Sequence, residues 1–149
     1  MSDTKQLAGL VQRKQECLGR LLALGRKQME LIQQDQISGL LDLLVVKQRA
    51  LAELQQVERA MDPHRQESPE NRRWAVPEDR QRCAQRLEQC EQTLREIVAL
   101  ETRSQDELTR RRDAAADQLQ GMHMAGVARA AYQTEPLLVN TRLDLSSGR

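Results

Sequence analysis

Residues 83–115 read CAQRLEQCEQTLREIVALETRSQDELTRRRDAA. In this stretch Cys83, Leu87, Cys90, Leu94, Ile97, Glu101, Ser104, Leu108, Arg111 and Ala115 recur at alternating steps of four and three. That period is a heptad seam, the stripe one helix shows to a partner helix. With no Gly or Pro between Glu78 and Gln120, the stretch predicts one long helix. Pro77 fits its first turn, and Glu78 and Asp79 suit the positive end of its dipole. The helix is expected to reach about Ala131-Tyr132 and to stop by Pro136.

Working outward, residues 5–34 carry Leu7, Leu10, Val11, Cys17, Leu18, Leu21, Leu22, Leu24, Met29, Leu31 and Ile32. At 100° per residue these fill an arc of roughly 180°, wider than one antiparallel neighbour covers. Gly9, Gly19 and Gly25 lie in the same segment, which suggests close helix approach or tolerated flexibility. The apolar pattern stops at Gln33-Gln34-Asp35-Gln36 and restarts at Ile37, a kink or a phase shift with Asp35 available as a cap. From Ile37 to Met61 the face is again broad, and Asp62-Pro63 is expected to end the segment. His64 then falls in a solvated loop, and Trp74 folds back on the helix ends.

These elements predict an all-α protein, an elongated antiparallel helical hairpin or coiled coil with a break near Gln33–Gln36. Arms 5–61 and 78–132 with loop 62–77 form one domain, 5–132, and an extended C-terminal tail, 133–149, follows. Near-equal arms would pair with position numbers summing to about 139. Glu101 and Ser104 then fall opposite Ser38 and Asp35, a polar layer that would fix register. Beyond it a leucine-rich N-terminal arm meets an alanine-rich C-terminal one. The mismatch predicts a groove lined by Leu18, Leu22, Leu108, Ala115, Leu119 and Met122 that takes an amphipathic helix of another protein, with methionine suited to repacking.

Composition narrows the function. The chain of 149 residues has no Phe, one Trp and one Tyr, too few aromatics for a layered sheet core. Its 23 basic and 22 acidic residues leave a net charge of +1, so no global field favours nucleic acid or an anionic membrane. Arg110, Arg111 and Arg112 stand between Asp106-Glu107 and Asp113, as on a solvated, salt-bridged face. The start lacks the plan of a secretion signal, and the longest apolar run, Leu40 to Val46, is broken by Asp42, so no membrane insertion is expected. Cys83 and Cys90, two turns and roughly 10 Å apart on one helix, cannot bridge; they are read as small core residues of a cytoplasmic protein.

No reaction centre emerges. Neither His64 nor His123 has a Glu three residues earlier, as a bundle metal site needs. There is no phosphate loop, nucleophile elbow, HExxH or Cys-x-x-Cys. A binding protein without metal or cofactor is expected, not an enzyme.

The stretch Met29 to Leu54, MELIQQDQISGLLDLLVVKQRALAEL, has Asp35, then the pair Leu40-Leu41, then Lys47 and Leu51-x-x-Leu54; the long second arm carries Ala131-Tyr132 near its end. In these features, over residues 5–132, the chain resembles the FlgN-type flagellar export chaperones. The resemblance implies a cytoplasmic chaperone of type III secretion whose client is the C-terminal helical segment of a hook-filament junction protein. It implies a second partner in the export apparatus, with Tyr132 or the tail as contact. Against it stands a homo-oligomeric coiled-coil scaffold or adaptor, a homodimer at its simplest. A third reading is an RNA- or phosphate-binding adaptor using Arg103, Arg110, Arg111 and Arg112.

Overall fold

A computed structural model describes the backbone of residues 3–146 and the side chains of residues 3–133. The described chain forms α1 (Asp3–Gln33), α2 (Ile37–Gln66), a short 3-10 turn (Pro69–Asn71) and α3 (Pro77–Ser146). The class is all-α, with no strand among the described residues. Two compact units divide it, residues 1–107 and residues 108–149, and α3 contributes to both.

In the first unit α1 and α2 form an antiparallel helical hairpin, cross-linked by Lys14–Glu58 (2.9 Å), Arg20–Glu53 (3.0 Å) and Gln28–Lys47 (3.0 Å). The start of α3 lies alongside and runs parallel to α1. Gln15 bonds Gln89 at 2.6 Å, and farther along the side chain of Leu100 closes on Gly25. A Cβ at Gly25 would stand 3.0 Å from Leu100 Cδ2, so this glycine allows close approach, whereas Gly9 and Gly19 face open space.

The break near Gln33–Gln36 is therefore a complete reversal, and it makes the hairpin. It replaces the expected pairing of arms 5–61 and 78–132 by an up-down-up bundle of three helices. Gln36 N–H donates to the Leu31 carbonyl (2.9 Å) and Asp35 N–H to that of Ile32 (3.2 Å), with Asp35 at φ 54°. This is a Schellman ending of α1 with Asp at the left-handed position. Asp35 thus closes α1; the N-cap of α2 is Gln36.

Proline 63 does not end α2, which continues to Gln66. Proline removes one backbone donor, and local packing offsets that loss. Met61 and His64 are buried, Arg65 binds Glu58 and Asp62, and Arg72 donates to the His64 carbonyl (2.5 Å). His64 is accordingly a buried residue of the last turn, not a solvated loop residue. Trp74 folds back as expected, onto the cluster of Leu7, Val11, Cys17, Val57, Met61 and Cys83.

The core continues through Leu18, Leu21, Ala50 and Cys90 to Leu31, Ile32 and Leu40 beneath the turn. All three cysteines are buried free thiols, and burial pushes those of Cys83 and Cys90 up. On α3, Cys83, Cys90 and Ser104 of the heptad seam are buried, but Leu94 is 44% exposed while Leu100 is only 8% exposed. With α1 and α2 both packed against it, α3 turns the row of Thr93 and Leu100 inward there in place of Leu94.

In the second unit, Leu108–Arg149, α3 runs past Tyr132 and Pro136 to Ser146. The expected tail, 133–149, thus begins inside this element, since one missing donor does not forbid helix on either side of a proline. Residues 147–149 lie outside the described residues.

Candidate helix-binding surfaces

Helices in folded proteins gain most of their stability from packing an apolar face. Large apolar side chains left exposed on a helix are therefore the first place to look for a partner.

On α3, Leu108, Leu119 and Met122 are 37%, 65% and 63% exposed. Ala115 is exposed as well. At 100° per residue Leu108, Ala115, Leu119 and Met122 lie within roughly 60° of one another, a narrow stripe on one face. Arg112 and Arg129, both exposed, flank it, and Arg112 stands 3.5 Å from Asp113. Tyr132 is 78% exposed, on a different side of the helix. Four of the six groove residues expected from sequence thus share one open stripe.

The other two belong to the bundle of the first unit. Leu18 is buried among Leu21, Ala50 and Cys90. It fills the core and does not line a groove, because α3 runs parallel to α1 and brings Cys90 against it. Leu22 is half-buried.

The polar layer keeps Glu101 and Ser104 but not the partners that sequence pairing suggested for them. Glu101 receives a hydrogen bond from Lys47 (2.5 Å), and Lys47 also donates to the buried Gln28 (3.0 Å). One turn farther, Ser104 is buried with its Oγ unpartnered. Ser38 is exposed on the first turn of α2, and Asp35 sits in the turn before it. The antiparallel pairing of α2 with α3 sets Lys47 opposite Glu101, so the layer crosses all three helices.

A second open surface was hidden in the breadth of the α2 pattern. Ile37, Leu41, Val45 and Val46 are 60%, 59%, 55% and 48% exposed, and Leu44 and Leu51 a little under two-fifths. Leu40, Ala50, Val57 and Met61 take the core side of the same helix. The signal lay in the sequence: apolar residues at 40, 41, 43, 44, 45 and 46 cannot all face one way on a helix.

Two clefts of the bundle lie among the described residues. One, of about 420 Å³, lies between the starts of α1 and α3, with Thr4, Trp74, Arg82, Cys83 and Arg86 in its walls. The other, of about 360 Å³, is a shallow groove between α1 and α2 floored by Ala23, Leu24, Val46 and Ala50. Among the described residues no cluster of three or more His, Cys, Asp or Glu is arranged to hold a metal ion, and no helix is long and apolar enough to cross a membrane. No protein-family model, curated protein or solved structure matches the chain.

Proposed function

We propose that the protein is a cytoplasmic export chaperone of the FlgN type, which holds a helical segment of a hook-filament junction protein and hands it to the flagellar type III export apparatus. The observation that carries this reading is the exposed stripe of Leu108, Ala115, Leu119 and Met122 on α3. An amphipathic client helix laid along it would bury the leucines and the methionine, a helix-against-helix mode of recognition. Arg112 and Arg129 at its edges favour acidic residues beside the client's apolar stripe. Tyr132, off the stripe, is free for the export apparatus while the client is held.

Leu18 stays in the core in this reading, so the client site rests on α3. A homo-oligomeric scaffold, in which the α3 stripe pairs with itself, is the competing reading. Hydrogen exchange of the full chain, with and without a peptide of the junction protein's C-terminal helix, tests the proposal. Amides from about Leu108 to Met122 are expected to gain protection only with the peptide, in keeping with coupled ordering on binding. Protection already complete without it would favour the scaffold.

A further inference from the structure

We infer that α2 carries a self-association face and that two copies of this chain pair through it, antiparallel, about a two-fold axis near Val45. This goes beyond the chaperone reading, and the face shares no residue with the α3 stripe. Ile37, Leu41, Leu44, Val45 and Leu51 occupy an arc of roughly 120° on α2, and each is exposed. The helix already packs its opposite side into the bundle through Leu40, Ala50, Val57 and Met61, so the outer arc is a second apolar face.

Charge identifies the occupant. Asp42 and Arg49 flank this arc on one and the same side, seven residues apart, and both are exposed. Among the described residues neither has an ion-pair partner within the chain, unlike the neighbouring Glu53, which binds Arg20. Residues seven apart hold the same heptad position. In an antiparallel helix pair that position faces its own copy, so Asp42 of one chain meets Arg49 of the other and the reverse contact forms by symmetry. In a parallel pair the flank would face Ile37, Leu44 and Leu51, leaving both charges opposite apolar residues.

The two-fold also sets Leu41 and Val45 of one copy against Ala52 and Gln48 of the other. A glutamine in the seam and a few aliphatic side chains fall short of the roughly 800 Å² a side of a standard interface. The dimer is accordingly a weak one that forms at micromolar concentration and above.

Sedimentation of the full chain across a concentration series tests this, with circular dichroism confirming unchanged helix content. The wild type is expected to show a reversible monomer–dimer equilibrium, and Leu41→Asp to be a monomer throughout. Asp42→Arg and Arg49→Asp each replace two attractions by two repulsions and are expected to weaken the dimer about tenfold. Asp42→Arg combined with Arg49→Asp is expected to restore it to within about twofold of wild type. A wild type that stays monomeric at every concentration overturns the inference. So does a dimer that survives Leu41→Asp, or one lost in Ala115→Arg instead, which would move self-association to α3. A double reversal as weak as the singles overturns the antiparallel geometry.

Discussion

Lys47 Nζ stands 2.5 Å from Glu101 Oε2 and 3.0 Å from Gln28 Oε1, so one ammonium joins all three helices of the bundle. The two partners differ in access to water: the lysine side chain is 14% exposed and the glutamate 36%. Losing the glutamate strands a largely buried cation, whereas losing the lysine leaves a carboxylate that water can reach. Glu101→Leu is therefore expected to destabilise by about 1–3 kcal/mol and Lys47→Met by less. The double variant should recover most of the larger loss. Denaturant unfolding of the four proteins decides it, and equal losses in the two single variants would contradict the asymmetry.

The reversal between α1 and α2 hangs on Asp35 at φ 54°. Glycine adopts this conformation without a Cβ penalty, and a β-branched residue adopts it poorly. The expected stability order is Asp35→Gly at or above wild type and Asp35→Val below it by about 1–2 kcal/mol. Thermal melts that rank valine level with glycine would mean that the left-handed turn does not control the hairpin.

Glu58 gives the bundle a pH dependence. Burial pushes its carboxyl up, but hydrogen bonds from Lys14 and Arg65 outweigh burial and hold it below the ordinary glutamate range. A carboxyl whose pKa is lowered by folding adds stability above its unfolded value, and that stability fades as pH falls through the folded value. The melting temperature is expected to drop as pH falls below about 4, beneath the usual glutamate pKa. The drop should be smaller in Glu58→Gln. Parallel pH profiles for the two proteins would remove Glu58 from the explanation.

Much of the fold was legible from residue spacing. The helical class, the start of α3 at Pro77, the return of Trp74 to the core and the inward cysteines all follow from periodicity and local propensity. The pairing was not legible, because a four-residue interruption at Gln33–Gln36 reads alike as a kink or as a reversal. Asp35, unlike glycine, does not advertise a left-handed residue. Once that turn reverses the chain, the partner of Glu101 becomes Lys47 and Leu18 moves into the core. The broad face of α2 likewise belongs to two surfaces. Spacing tells how many faces a helix has, and only the fold tells which of them is covered.

The chaperone reading is tested most directly by the affinity of the full chain for the C-terminal helical segment of a hook-filament junction protein, measured by calorimetry for wild type, Ala115→Arg and Tyr132→Ala. Ala115 is exposed, so arginine there opens no cavity and should leave helix content and melting temperature unchanged. A charge set into the middle of an apolar contact is expected to weaken binding by about a hundredfold. Tyr132→Ala should bind as wild type does and fail only in delivery for export. Failure of the wild type to bind the segment, or undiminished binding by Ala115→Arg, would contradict the assignment of α3 as the client-holding helix.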